Sequence, residues 1–311
     1  VKWRQSSLGV AMNAADILHD DAELVKRMSL TFLFWNLRGE HTKSWAYRAP
    51  NLRASIANLA ISRKIDTFCF AEFGFLDAEV IESLNSAGVG NYYAVASRNS
   101  RIRLFSRLEN AQWKDRFNSQ LNDRMTAHSL RVGKSRSILI VCVHGRDRMS
   151  VSHENDHASH AQDLADDIRL IQKDVGHQRT VVCGDFNMNP FELGMVAAKN
   201  FHALLSQNLT RTIHRLGRRA KYSCFFNPMW TCFGDRPNQP PGSYYFSNSL
   251  SDTNHFWHIL DQVIIRPEIM GQLTRLAILG EDGRQSLVAK MGRPRKATFS
   301  DHLPLFFELT P

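Results

Sequence analysis

The sequence predicts an α/β domain in which strands alternate with helices. Two observations carry this. Apolar runs of strand length recur along the chain, and segments with apolar residues at helical spacing separate them. A third observation sharpens it: most of the runs close on, or enclose, a polar or acidic residue.

Residues 1–28 stand apart as an N-terminal extension. Ala14, Ala15, Ile17, Leu18, Leu24 and Val25 allow an amphipathic helix ending at Lys26-Arg27. Because the chain opens on Val1, the extension is equally readable as a non-native lead-in to a working start at Met28. The domain proper is expected over 29–311. Its first run, Phe32-Leu33-Phe34-Trp35, ends on Asn36. Leu52, Ile56, Leu59 and Ala60 then recur at helical spacing, and Phe68-Cys69-Phe70-Ala71 ends on Glu72. A shorter helix carries Val80, Ile81 and Leu84 and stops at Gly88. The run from Ile138 to Val143 ends on His144, and a longer helix over 154–175 turns Leu164, Ile168 and Ile171 inward.

Val181-Val182-Cys183 leads into Gly184-Asp185-Phe186-Asn187. Asn189-Pro190 predicts a helix start, because proline at the first helical position forfeits no hydrogen bond. Residues 225–254, rich in Pro, Gly, Asn and aromatics, read as one long loop with a short strand near Tyr244-Tyr245-Phe246. Loops of that length are uncommon unless they serve a site. Asp261 lies inside the run Ile259 to Ile265, and Ser300-Asp301-His302 precedes Leu303-Pro304-Leu305-Phe306-Phe307. No internal repeat is visible.

At 311 residues the chain can bury a sizeable core, as one large domain or as two. No apolar run approaches the roughly 20 residues that cross a bilayer, and no apolar leader is visible. A cytoplasmic location and no membrane partner are therefore expected. The odd count of five cysteines argues against a disulfide framework, and Cys69, Cys142 and Cys183 lie in apolar runs as small hydrophobes. Cys224 and Cys232 are too far apart for a Cys-x-x-Cys site. Nothing in the sequence sets an oligomeric state.

The net charge of +9 leans toward polyanionic partners. It concentrates in 211–221, which holds Arg218, Arg219 and Lys221, and in 290–296, which holds Arg293 and Arg295. A charge run by itself can be a solvated loop. Here the cations lie among acidic strand ends, an arrangement that suits a phosphodiester whose charge must be neutralised. A carboxylate at the end of a buried strand pays desolvation, so it pairs with a metal, a cation or donors. The six groups Asn36, Glu72, His144, Asp185, Asp261 and Asp301 are expected to converge on one edge of a sheet, with Glu72 buried by Phe70, Ala71 and Phe73. Taken singly, Asp185 and Asn187 would cap a turn, and His144 would be structural.

Together these residues resemble the endonuclease/exonuclease/phosphatase superfamily, which includes deoxyribonuclease-I-like enzymes and exonuclease III. The likeness covers Leu30 to Leu309. It rests on Trp35-Asn36, Ala71-Glu72, Val143-His144, Gly184-Asp185-Phe186-Asn187, Leu260-Asp261-Gln262-Val263 and Ser300-Asp301-His302-Leu303-Pro304, in the family's order. It implies a four-layer α/β sandwich, with two mixed β-sheets face to face and helices outside. It implies that Glu72 and Asp301 hold Mg²⁺ or Mn²⁺, hard cations that prefer carboxylate oxygens. Asn36 would complete the metal shell or hold a neighbouring carboxylate. Asp185 would orient and deprotonate the attacking water, with Asn187 fixing the phosphate or that water. His302 would contact the scissile phosphate, kept protonated by Asp261. His144 occupies the position where deoxyribonuclease-I-like members carry a histidine near the leaving oxygen, and exonuclease-III-like members usually carry a tyrosine.

Arg38 and Arg146 follow two of the strands and are candidate phosphate contacts beside the basic loops. Among the aromatics Phe225, Phe226, Trp230, Tyr244, Tyr245 and Trp257, some would stack on exposed bases and others would pack the long loop. Trp257 is the candidate nearest the Asp261 strand. The expected function is a metal-dependent phosphodiesterase acting on nucleic acid, DNA favoured over RNA. A phosphatase or phosphodiesterase acting on a lipid or small-molecule phosphate is the alternative. A non-catalytic binding module is disfavoured because all the acids are present. His153-Glu154-Asn155-Asp156-His157 matches the His-Glu-x-x-His zinc-peptidase pattern, but its polar neighbours read as the solvated start of a surface helix.

Overall fold

The apolar runs fold as strands and the helix-spaced segments as helices between them. The computed structural model describes residues 29–39, 42–99, 101–117, 121–133, 135–147, 154–216, 222–235, 237, 239–247 and 255–311. The extension over 1–28 lies outside the described residues, as do Arg218, Arg219, Lys221 and His153. The chain begins β1 (Leu30–Asn36), α1 (Trp45–Arg63), β2 (Thr67–Ala71), α2 (Asp77–Ser86), β3 (Tyr93–Ala94) and β4 (Ile102–Ser106). It continues β5 (Trp113–Asp115), β6 (Met125–Arg131), β7 (Ser137–His144), α3 (Glu154–Val175), β8 (Thr180–Asp185) and α4 (Leu193–Val196). Next come β9 (Ala203–Leu204), α5 (Gln207–Leu216), β10 (Phe225–Phe226), β11 (Tyr244–Tyr245) and β12 (Trp257–His258). The last are β13 (Asp261–Ile265), β14 (Leu273–Ile278) and β15 (Leu305–Leu309).

Two large mixed sheets form, six-stranded in the order β14-β15-β1-β2-β4-β3 and seven-stranded in the order β5-β6-β7-β8-β13-β10-β9. Each is centred on a parallel pair joined through a helix, β1 and β2 across α1, β7 and β8 across α3. One pairing pattern serves both: β15-β1-β2-β4-β3 matches β13-β8-β7-β6-β5, antiparallel, parallel, antiparallel, antiparallel. This repeat is invisible in the sequence because main-chain pairing requires a pattern of burial, not particular residues.

Side-chain alternation assigns the layers. In β7, Ile138, Ile140 and Cys142 join the core between the sheets, while Leu139, Val141 and Val143 pack with Leu164, Ile168 and Ile171 of α3. On the other sheet, Leu52, Ile56 and Leu59 of α1 close the outer face. The order is helix, sheet, sheet, helix. The thiols of Cys69, Cys142 and Cys183 meet between the sheets, within 4.8 Å of one another, and all five cysteines are free and buried. Each large apolar side chain removed from water here contributes about 1.5–3 kcal/mol. Among the described residues, no helix is long and apolar enough to cross a membrane.

Two expectations need correction. The helix expected at Asn189-Pro190 begins at Leu193 and lasts four residues. Asn189 is occupied elsewhere, since its Oδ1 accepts the Ile259 amide at 3.0 Å and its Nδ2 reaches Glu192 at 2.9 Å. The short strand expected near Tyr244-Tyr245 is β11, but the region 225–254 is not otherwise one loop, because it also carries β10 and a 3-10 turn over Pro228–Cys232.

Candidate active site

Strand direction brings the polar groups together. Asn36, His144 and Asp185 close β1, β7 and β8, and Glu72 follows β2 directly. Asp261 opens β13 and Asp301 and His302 precede β15, and both of these strands run antiparallel to the neighbours just named. Ends and beginnings therefore share one rim. The rim is not the edge of one sheet, as expected, but the seam between two. Asn36, Glu72, Asp301 and His302 come from the six-stranded sheet, and His144, Asp185 and Asp261 from the seven-stranded one.

Asn36 binds the two halves. Its Nδ2 donates to Glu72 Oε1 and to Asp185 Oδ2, both at 3.0 Å, and its Oδ1 accepts the Arg38 amide at 2.9 Å. Both ends of the amide are thus spent on holding neighbours. Glu72 corrects a second expectation: it is not buried, its side chain being 40 % exposed. Its φ of 46° turns it away from the strand it follows. Burial would raise its pKa, but hydrogen bonds from His144 and Asn36 and the charges of His144 and His302 outweigh that and hold it at about 2. His144 Nε2 lies 3.5 Å from Glu72 Oε1.

Across the seam, His302 Nδ1 meets Asp261 Oδ2 at 2.8 Å, and His302 Nε2 faces Asp185 Oδ2 at 3.8 Å. Burial disfavours the imidazolium, yet Asp261, then Asp185 and Asp301, outweigh it and push the ring up to about 10. Burial in turn pushes Asp261 upward, with His302 opposing. Asp185 is buried, and its Oδ1 accepts the Asn187 amide at 2.9 Å. Asn187 sits at φ 54° with Nδ2 directed at the Gly145 carbonyl, 3.4 Å away. The Tyr244 ring lies tilted by 43° against His302, centroids 4.7 Å apart, and stays a neutral phenol, pushed up to about 12 by burial and by the Asp301 and Asp185 charges.

Two residues that the sequence analysis passed over hold this geometry. Arg48, wholly buried, donates to the carbonyls of Leu37, Arg38 and Phe299 at 3.0, 2.7 and 2.7 Å, tying the loop after β1 to the segment before Asp301. Ser243 Oγ accepts the amides of Leu260 and Asp261, and its carbonyl accepts the Leu303 amide at 2.8 Å. Both act on main-chain groups, which leave no side-chain signature to find.

The donor set fits a hard divalent cation. Glu72 and Asp301 present carboxylate oxygens at the open mouth, 40 % and 20 % exposed, while Asp261 and His302 spend their facing atoms on each other. Asp301 Oδ2 is 3.3 Å from Arg38 Nε, a contact that screens its charge. Asp185, Asp261 and His302 also place ligand atoms within 4.8 Å.

The remaining candidates separate. Arg146 is exposed beyond β7. Trp257 is half-buried, edge-on to Tyr245 at 5.4 Å. Arg293 lies over the Tyr245 ring at 4.5 Å, whereas Arg295 donates to the Ser286 carbonyl at 2.9 Å. In the zinc-peptidase stretch Asp156 and Ser159 are exposed on α3, as expected of a solvated face, but His157 and His160 are buried. Burial holds the His160 ring down at about 4, with nearby arginines adding to it. No group of three metal-ligand types forms there among the described residues.

The Endonuclease/Exonuclease/phosphatase family model matches residues 33–302. No curated protein sequence matches the chain. Among solved structures, the chain is similar to an endonuclease/exonuclease/phosphatase family protein from Bacteroides thetaiotaomicron, at 15% identity and TM-score 0.54, covering 90% of this chain and 97% of that one. It is similar to the human Nocturnin catalytic domain, solved with a bound sulfate anion, at 16% identity and TM-score 0.53, covering 90% and 93%. A family protein from Leptotrichia buccalis C-1013-b gives 12% identity and TM-score 0.52, covering 90% and 99%. At these identities the likeness is one of fold.

Proposed function

The chain belongs to the endonuclease/exonuclease/phosphatase family, a family of phosphoester hydrolases, and from that premise we propose that it is a cytoplasmic Mg²⁺- or Mn²⁺-dependent nuclease, with DNA favoured over RNA. The observation that carries this reading is His302, protonated between Asp261 and Asp185 at a mouth lined by Glu72 and Asp301. An imidazolium held at the mouth of the site suits a phosphodiester, whose negative charge it would meet. The net charge of +9 supports a polyanionic substrate.

Glu72 and Asp301 are the residues that would hold the divalent cation, whose chemistry when bound is to neutralise charge on the phosphoryl oxygens. Asp185, fixed by the Asn36 side chain and the Asn187 amide, accepts the proton of a water attacking phosphorus in line. His302 donates from Nε2 to a phosphoryl oxygen. The water oxygen forms a bond to phosphorus as the bond to the leaving oxygen breaks, and His144, steadied by Glu72, stands at that leaving oxygen. Asn187 and Arg38 bind the remaining phosphate oxygens.

The test is cleavage of labelled single- and double-stranded DNA and RNA with Mg²⁺, Mn²⁺ or EDTA, for the wild type and Asp185→Ala. Metal-dependent cutting that falls by about 10²-fold or more in the variant is expected. Cutting that survives Asp185→Ala overturns the site. Failure to cut any nucleic acid moves the reading to lipid or small-molecule phosphates.

A further inference from the structure

A cleft of about 340 Å³ opens beside Asp301. That volume falls within the range of small-molecule pockets. Arg38, Asp301 and Tyr244 line it on the catalytic side, and Tyr245, Phe246, Arg293 and Lys296 line the rest. The link to the catalytic rim is physical: Tyr244 bridges His302 through the main chain and its ring packs at a tilt against the imidazole.

Arg38 and Asp301 pair with each other on the catalytic side of the cleft, at 3.3 Å. The Arg293 guanidinium carbon lies 4.5 Å from the centre of the Tyr245 ring, a cation–π contact that consumes no hydrogen-bond donor. No carboxylate or carbonyl of a described residue engages the side chain of Arg293 or Lys296. Arg295, two residues from Arg293, contrasts with both, since it is tied to the Ser286 carbonyl. At the lip, Phe246 is 49 % exposed, and its amide bonds to the Phe256 carbonyl at 2.8 Å, so the ring rides on a paired hairpin rather than a loose loop. Two cations with no acceptor among the described residues, and an exposed ring beside a phosphodiesterase centre, suit a ligand with a phosphate and a flat apolar face.

Resting on the nuclease reading above, we propose that this cleft seats the nucleotide next to the scissile phosphate. Arg293 and Lys296 take that nucleotide's own phosphate, and its base stacks, unpaired, on Phe246. A base inside a duplex has both faces covered by its neighbours, so only a single strand or a frayed end can use the ring. The cleft therefore sets a preference for single-stranded substrate.

Two measurements test it on the full chain. In EDTA, single-stranded oligonucleotides carrying 2-aminopurine at successive positions report stacking by fluorescence quenching. With metal, kcat and KM are compared for single-stranded and duplex DNA of one sequence. Quenching at one position, its loss in Phe246→Ala, and a KM about tenfold higher in that variant with a far smaller fall in kcat are expected. Arg293→Ala lowers the dependence of binding on salt by roughly one phosphate contact. Phe246 is exposed, so its truncation leaves the fold standing. Cutting that prefers duplex, or quenching unchanged in Phe246→Ala, overturns the cleft assignment and leaves the nuclease reading intact. If no nucleic acid is cut while phosphoinositide vesicles are, the nuclease reading fails and the cleft assignment fails with it.

Discussion

His302 Nδ1 and Asp261 Oδ2 lie 2.8 Å apart across the seam between the two sheets. The contact fastens the segment before β15 to the start of β13, so one ion pair both closes the sandwich and charges the site.

That charge makes stability depend on pH. In metal-free protein the folded pKa of His302 is about 10, above the unfolded value of about 6.5. The folded state binds this proton more tightly. The stability it contributes is complete below pH about 6.5 and is lost as pH rises through about 10. Urea midpoints in EDTA between these limits fall with pH in the wild type, and Asp261→Asn is less stable at the acid end and flatter across the range. Parallel curves for the two proteins would count against the pairing.

Asn36 is the neutral group between Glu72 and Asp185. Asn36→Asp keeps the shape but replaces a shared donor with a further carboxylate. Without metal it costs about 1–3 kcal/mol, since two carboxylates lose their donor and gain a like charge. Saturating Mg²⁺ recovers much of this. Melting curves with EDTA and with Mg²⁺ check it: the metal-induced rise in Tm is larger in the variant than in the wild type, and equal rises refute the account.

The acids of this rim were legible because each ends or opens a strand buried on both faces, and such strands read as unbroken apolar runs. β1, β2, β7, β8 and β13 are all of this kind. Strands β3 to β6 were missed for the complementary reason. β6 buries Thr126, His128 and Ser129 among its apolar residues, and His128 Nε2 meets the distant Ala96 carbonyl at 3.0 Å. Glu72 was misread as buried because its flanking aromatics report burial but not the left-handed backbone that turns it out. The seam itself depends on which strands pair at long range, and local pattern carries no record of that. Phe246 and Lys296 lie in the short strand and the basic run that the sequence marks, but their meeting in one cleft is a product of the hairpin and a loop some fifty residues later.

Arg48 is expected to behave as a positioning residue. Arg48→Lys retains charge but loses the planar fork that serves the Leu37, Arg38 and Phe299 carbonyls together. A loss of about 2–4 kcal/mol follows from buried acceptors left unmet. The denaturant midpoint measures it. Cleavage should fall further than the remaining folded fraction explains, because Arg38 and Asp301 both hang on these carbonyls. Activity that tracks folded fraction alone would reduce Arg48 to a structural role.

Gly184 supplies the sharpest test of the rim's backbone. Its φ is 151°, and a Cβ there would stand 2.0 Å from the Val143 carbonyl oxygen. That oxygen belongs to β7, paired in register with Gly184 of β8, so neither partner can withdraw without breaking the central parallel pair. Gly184→Ala must push the strands apart one residue before Asp185. A cost of about 4 kcal/mol or more is expected, in the range where single substitutions unfold domains. Gly271→Ala is the matched control, because a Cβ there meets nothing within 4 Å. It should change stability by no more than about 0.5 kcal/mol. Thermal melts of both separate the possibilities. If Gly184→Ala melts with the control, the close approach of β7 and β8 is not a constraint, and the fixed placement of Asp185 between Asn36 and His302 loses its foundation.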